Sequence, residues 1–295
     1  MQQIIITGVP EHFNFPWLKV VEEQPFLSEG IELLWKNEPK GSGAMNKAIR
    51  EGSTDLALIL TESFIKDSVE GNEGKIIGWY VKSPLLWGIH TSAKLNYDSI
   101  SDFQIPSFLI SRYGSGSHLM SFLLAQREGW DLSTLKFMEI GDLEGAKMAF
   151  EKEDPSMFLW EKFTTKPLVD AGLFKRIGEI PTPWPCFVMV ASKSALEKNK
   201  TIISKLRDFV YQKAQTIFQG ENSPTILSEF YGIQRQDILT WLGYTLWAEN
   251  NSIKEKELKK VIDILIALKI ISKGNIKPVD FVEADLVNWI GSSPA

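Results

Sequence analysis

Cysteine is almost absent: Cys186 stands alone in 295 residues, and only three histidines accompany it. A single thiol forms no internal disulfide and no Cys-based zinc site, so no covalent framework and no oxidising compartment are implied. Positive charge is not in excess either. With 32 basic against 37 acidic residues, a net charge of −5 and no basic block, the chain lacks the electrostatic footprint of a nucleic-acid partner. Long apolar runs are missing. The stretches from Ile76 to Ile89 and from Val261 to Ile271 are broken by Lys82, Asp263 and Lys269 and fall short of a bilayer, which predicts no membrane insertion. The opening Met1-Gln-Gln-Ile-Ile-Ile-Thr reads directly as a strand, with no basic n-region, apolar h-region or cleavage site. The expectation is a cytoplasmic protein as the chain stands, or a periplasmic one from which a signal has been removed. Catalytic signatures are equally scarce: there is no Gly-x-Ser-x-Gly elbow, no phosphate loop ending in Gly-Lys-Ser and no His-rich metal spacing. No cofactor and no metal are expected.

What is present is a soluble globular composition, 44% hydrophobic and 23% charged, in a chain long enough for two lobes. The first 95 residues alternate strand and helix patterns: Ile4 to Val9, a helix near Leu18 to Glu23, Ile31 to Trp35, and a helix from Met45 to Arg50. Asp55-Leu-Ala-Leu-Ile-Leu60 is a continuous apolar run, the mark of a strand buried on both faces of a parallel sheet. Strands at Lys75 to Val81 and Leu85 to His90 follow, with Pro84 breaking the chain between them. Residues 96–182 repeat the plan, with strands at Ser107 to Ser111, Leu135 to Ile140 and Met157 to Trp160 and helices between. Pro181-Thr-Pro-Trp-Pro185 must run extended, Phe187 to Ala191 is one more buried strand, and the remainder reads as almost wholly helical. The predicted architecture is α/β and two-lobed. Residues 1–95 and 183–295 form lobe 1, with C-terminal helices, and residues 96–182 form lobe 2.

Ligands of open α/β sheets bind outside the carboxyl ends of the strands, so residues after strands and at helix starts are the candidates. The clearest is Leu109-Ile-Ser-Arg-Tyr-Gly-Ser-Gly-Ser-His118, an apolar strand running through Gly114, Ser115, Gly116 and Ser117 into a helix. Glycines let successive N–H groups converge on one point, Ser117 is positioned to cap the helix, and the helix dipole favours an anion there. A plain strand-to-helix turn is the competing reading. The loop Pro10 to Trp17, the turn at Ser42 and Gly43, Thr61 and Glu62, Trp87, Trp160-Glu161 and Trp184 occupy similar places. Each has an ordinary alternative. Most of the ten tryptophans must be core, Trp184 between prolines can plug a hinge, Glu161 can answer a helix dipole, and His118 in a first helical turn can simply pack.

Gly41-Ser-Gly43, the Gly-Ser-Thr-Asp-Leu-Ala run at 52–57, Gly114-Ser-Gly-Ser-His118, Phe158-Leu-Trp-Glu161 and Pro183-Trp-Pro185 together resemble a type II periplasmic binding protein over nearly the whole chain. The nearest branch holds the nitrate, sulfonate and taurine binding proteins of ABC importers and the thiamine-pyrimidine synthesis proteins, with a signal-less subgroup nearer still. The resemblance implies a Venus-flytrap fold. By position, Ser42-Gly43 and Ser115-Gly116-Ser117 would hold the ligand's anionic or polar head, and Trp87, Trp160 and Trp184 would wall the cleft. The lipoprotein cysteine of a transporter component and the cysteine-rich motif of the pyrimidine-synthesis proteins are both missing. The expected function is capture of a small organic, anionic ligand (a sulfonate, carboxylate or pyrimidine-like molecule) by a monomer, with an ABC permease as a further partner. Two alternatives stand beside it: a lyase, dehydratase or pyrimidine-synthesis enzyme using Glu161 and His118, and a sensor whose partner reads the closed state.

Overall fold

The computed structural model describes residues 1–291. Its first sheet is built from β1 (Gln2–Gly8), β2 (Ile31–Asn37), β3 (Leu56–Leu60) and β4 (Lys75–Val81), with α1 (Phe15–Glu23), α2 (Ser42–Glu51) and α3 (Thr61–Val69) between them. The chain then leaves for a second sheet: β5 (Leu86–Ser92), β6 (Ser107–Ile110), α4 (Gly116–Glu128), β7 (Lys136–Glu139), α5 (Leu143–Glu151), β8 (Met157–Glu161), α6 (Lys166–Asp170) and β9 (Phe174–Pro181). It returns through β10 (Phe187–Ala191) and ends in α7 (Lys193–Gln219), α8 (Ser223–Tyr231), α9 (Arg235–Tyr244), β11 (Ser252–Lys254), α10 (Glu255–Ala267) and β12 (Asn288–Ile290).

The sheet orders are β2-β1-β3-β10-β4 and β7-β6-β8-β5-β9. Both sheets are mixed. β1 to β3 are parallel, but β10 enters antiparallel between β3 and β4, and β5 lies antiparallel to β8 and β9. The all-buried β3 therefore sits between one parallel and one antiparallel neighbour, because burial on both faces reports the layers above and below and not the direction of the next strand. The sequence pattern also assigns β5 to lobe 1; it is a central strand of the second sheet, so the outward crossing lies at residues 82–85 and not at 95. The C-terminal region is helical as expected except for β11 and β12, which form a two-stranded parallel pair.

The two crossings are tied to each other. Leu85 N donates to Thr182 Oγ1 at 2.9 Å, Thr182 N donates to Leu85 O at 2.9 Å, and Cys186 N donates to Ser83 O at 3.2 Å. Prolines at 84, 181, 183 and 185 keep both segments extended, which is why they can pair as a short hinge ribbon. Around it the lobes touch on two sides. Lys166 on α6 of lobe 2 meets Asp237 on α9 at 3.3 Å, and Gln234 Nε2 donates to Asp170 Oδ2 at 3.0 Å. On the other side Arg112 of lobe 2 donates to Lys40 O of lobe 1 at 3.2 Å. One hydrophobic core runs through both lobes. The lobes stand closed on each other.

Candidate functional site

Between the lobes lies a cavity of about 60 Å³, lined from lobe 1 by Val9, Glu11, Lys40, Gly41, Ser42, Leu60 and Phe187. Lobe 2 contributes Trp87, Ser111, Arg112, Ser115, Gly116, Ser117, Trp160 and Glu161. At roughly 10 to 15 Å³ per water, this is room for about four to six waters, the size of a ligand with a short chain and one head group.

Two helices start on this cavity, one from each lobe. α2 begins at Ser42 after Gly41, whose φ of 75° only glycine adopts without strain and which leaves the helix with no side-chain cap. Ser42 turns its hydroxyl back to accept from Leu60 N at 3.1 Å, pinning the helix start to the end of β3. α4 begins at Gly116, and its cap is Ser115, whose Oγ accepts from His118 N at 3.3 Å. The cap expected at Ser117 is therefore two residues earlier, at Ser115. The Ser117 hydroxyl instead accepts from Ser111 N at 3.0 Å and so ties the helix back to the strand it left. The unpaired N–H groups of both first turns give the cavity a positive potential.

Arg112 adds a full positive charge. Its guanidinium reaches from lobe 2 over the first turn of α2, so close that a Cβ on Gly43 would lie 1.7 Å from Nη2. Gly43 is therefore the space that Arg112 fills. The same logic applies at Gly116, where a Cβ would stand 2.9 Å from Leu60 Cδ1 of the opposite lobe and 3.0 Å from Trp87. Trp87 and Trp160 give the cavity aromatic wall, and the Trp87 indole N–H is buried without a partner.

The floor is acidic. Glu161 ends β8, and its Oε2 accepts from Phe163 N at 3.0 Å, from Thr164 N at 2.6 Å and from the Thr164 hydroxyl at 2.8 Å. Burial nevertheless pushes its pKa up to about 7, against the pull of those donors and of Lys162. Glu11, in the loop after β1, is raised to about 8 by burial and by the Glu161 charge. His12 beside it is buried, with burial driving its pKa down to about 3, and its Nε2 lies 3.9 Å from Glu161 Oε2 without a hydrogen bond.

Other expected site residues stand elsewhere. Trp17 is wholly buried in α1 against Tyr80 and does not line the cavity. Thr61, Glu62 and Trp184 form the hinge floor: Thr61 Oγ1 donates to Pro185 O at 2.7 Å, and Trp184 Nε1 donates to Glu62 Oε2 at 2.8 Å. Glu62 is pushed up to about 7 by burial, and its Oε1 has no partner. Gly114 and His118 line a separate, smaller cavity. His118 Nδ1 accepts from Gly114 N at 3.0 Å, and its ring packs edge-on against Phe122 and Phe137. Sequence alone does not single out Glu11, His12 or Arg112. It does mark the loop at 10–17 and the turn containing Arg112, so the available signal is position after a strand. Among the described residues no group of three His, Cys, Asp or Glu could hold a metal ion, and no helix is long and apolar enough to cross a membrane.

Two sheets exchanged through a double crossing, with a cleft between helix starts, define the periplasmic-binding-protein fold, and solved structures of that fold align with nearly the whole chain. Residues 87–180, almost all of lobe 2, match the family model described as Ca3427-like PBP. The Candida albicans CA3427 gene product, described as defining a new family with the generic periplasmic binding protein fold, superposes with a TM-score of 0.84 at 24% identity, covering 96% of each chain. The alkanesulfonate-binding protein SsuA of Xanthomonas axonopodis pv. citri, bound to MOPS, gives 0.75 at 13% identity over 98% of this chain and 99% of its own. PhnD1 of Prochlorococcus marinus in complex with methylphosphonate gives 0.59 at 12% identity over 92% and 99%. No curated protein sequence matches the chain.

Proposed function

We propose that this protein captures a small organic acid between its lobes, as the substrate-binding component of an importer does. The observation that carries this reading is convergence: α2 from lobe 1, α4 and Arg112 from lobe 2 meet at one cavity, so a ligand's acidic head completes a contact that spans the cleft. Closure then follows from binding, because only the closed form offers both helix starts at once. The names of two relatives of the same fold, an alkanesulfonate-binding protein and a protein complexed with methylphosphonate, support an acid with a short organic chain. In this reading Ser42, Ser115, Gly116 and Ser117 hold the head, Trp87 and Trp160 cover the chain, the protein acts as a monomer, and its macromolecular partner is an ABC permease.

Native mass spectrometry of freshly purified protein, followed by denaturation and identification of what is released, tests the class directly. A retained small acid, unchanged after prolonged incubation, is the expected result. Conversion of that molecule to a product would replace capture with catalysis. Absence of any bound acid, together with no thermal shift from sulfonates, phosphonates or carboxylates at millimolar concentration, would overturn the proposal.

A further inference from the structure

The lobes are held together away from the cavity as well as across it, and α9 is attached at both of its ends. Past its C-terminal end the chain runs beside the outward crossing. Lys82 N donates to Leu246 O at 2.7 Å, Leu246 N donates to Ser83 Oγ at 3.1 Å, and Ala248 N donates to Tyr80 O at 2.9 Å. Residues 246–248 thus add a third extended segment to the hinge ribbon. At its N-terminal end α9 reaches lobe 2. Asp237, in its first turn, meets Lys166 of α6 at 3.3 Å, and Gln234, which flanks that turn, donates to Asp170 Oδ2 at 3.0 Å. Lys166 and Asp170 also pair with each other, so four side chains form one network between the lobes. Lys166 and Asp237 are only 20% and 21% exposed, unlike the freely solvated surface pairs that contribute little.

An aromatic seam accompanies the network. The His12 ring of lobe 1 packs edge-on against Trp241 of α9 at 4.3 Å and against Phe163 of lobe 2, just before α6, at 6.4 Å. All three are buried. Neither the seam nor the network lines the cavity, so these contacts do not pass through groups that a ligand would touch.

We propose that α9 is a clasp, fixed to the hinge at one end and gripping α6 at the other, which holds part of the population closed without help from a ligand. A ten-residue helix is about 15 Å long, so the grip stands well out from the hinge. Rotation about the ribbon displaces that end of α9 most, and the network is made in the closed form and broken in the open one. A ligand then selects a form that the clasp already populates. The clasp enters the apparent affinity through the fraction of molecules in that form, although it touches no ligand.

Pulsed electron paramagnetic resonance measures the populations directly. β2 and β7 are the edge strands furthest in order from the hinge strands, and Lys36 and Met138 on them are exposed, so Lys36→Cys with Met138→Cys places one spin label on each lobe. The buried Cys186 is left unlabelled. The protein is first freed of retained small molecules by unfolding, dialysis and refolding. The native chain should show a population at the short separation of the closed structure. Asp237→Lys, which sets like charges against each other, should lower the closed-to-open ratio about three- to tenfold, and 1 M sodium chloride should move the native chain the same way. Glu229→Lys makes the same charge change on the exposed face of α8 and should leave the distribution as it is, with native circular dichroism in both variants. Absence of the short separation from the native chain, no response to Asp237→Lys, or an equal response to Glu229→Lys would each overturn the clasp. The measurement contains no ligand, so its failure leaves the capture reading standing.

Discussion

Lobe 2 brings most of the polar side chains to the cleft, whereas lobe 1 brings fewer and more apolar surface. From lobe 2 come both indoles, the guanidinium, the hydroxyls of Ser111, Ser115 and Ser117, and Glu161; from lobe 1 come the apolar Val9, Leu60 and Phe187, the start of α2 with Ser42, and Lys40 and Glu11. The two helix starts differ in the same sense, because α4 is capped by Ser115 while α2 follows Gly41 with no side-chain cap. Under the proposed capture, lobe 2 is the recognition face, with its own internal hydrogen bonds, and lobe 1 is the lid, contributing Lys40, Ser42 and Glu11 beside the backbone N–H groups that start α2.

The most damaging change under this division is one that stops the lid from reaching the face. Gly116→Val puts methyl groups where Leu60 and Trp87 already stand, and since Leu60 belongs to the other lobe the easiest relief is separation of the lobes. Affinity for butane-1-sulfonate should fall by about a hundredfold or more, roughly 2.7 kcal/mol, while small-angle scattering reports a larger radius of gyration and the circular dichroism spectrum stays native. A scattering profile unchanged from the native protein would break the comparison.

Removing the charge from the recognition face comes next. Arg112→Ala should weaken the same probe about ten- to a hundredfold, and Arg112→Lys should recover only part, because an ammonium cannot reproduce the planar fork that lies across Gly43. Changing the lid's half of that contact should cost less: Gly43→Ala pushes the flexible end of Arg112 aside without touching the backbone, so a loss of about three- to tenfold is expected with thermal stability little altered. If Gly43→Ala proved worse than Arg112→Ala, the lid would be contributing more than surface.

The division between lobes is only partly legible in the amino-acid sequence, and the reasons differ from residue to residue. The strands are legible because β3, β4 and β10 are nearly all buried and leave near-continuous apolar runs, and because β5 opens on Leu86, Trp87 and Ile89. Which sheet each joins is not, since nothing within 86–92 names a partner strand, and only long-range pairing with Glu161 and Pro181 assigns it to lobe 2. The Gly-Ser-Gly-Ser turn is visible, but two serines two positions apart both fit a cap, and the choice is made by Ser111 N, which takes Ser117. The tryptophans show the limit of composition, because Trp17, Trp87 and Trp184 are all buried and only Trp87 lines the cavity. Glu11 and Arg112 carry no motif. They matter because a loop from one lobe and a turn from the other close on the same space.

A change of pH should act on the fold itself. Glu11, Glu62 and Glu161 have folded-state pKa values of about 8, 7 and 7, all above 4.5, so between about pH 5 and 8 the folded chain holds more protons than the unfolded one and stability falls as pH rises. His12 and His90, lowered to about 3 and about 4, act in the opposite sense, but their contribution is complete above about pH 6.5. The net expectation is a thermal midpoint that drops by several degrees from pH 6.5 to 8.5, measured by scanning calorimetry. Glu11→Gln combined with Glu62→Gln should flatten that slope. Those two acids lie in lobe 1, so a slope that persists would put the titration on the recognition face.

The smallest expected effect separates the two helix starts. Ser115→Ala removes an N-cap acceptor from His118 N, a loss of about 1 kcal/mol for a capped helix, and therefore a drop of about 1 to 2 °C in thermal midpoint for a chain of this length. No corresponding substitution exists in lobe 1, where Gly41 offers no side chain to remove and its φ of 75° would make any added Cβ a strain. The ligand then affects the two helices differently. Saturating butane-1-sulfonate should also satisfy N–H groups at the start of α2, so its thermal shift should shrink in Ser115→Ala without disappearing, because the lobe 1 helix start, and the Arg112 contact over it, remain intact. A shift that vanished in this variant would mean that the Ser115 hydroxyl holds the head by itself and that the lobe 1 helix start adds nothing.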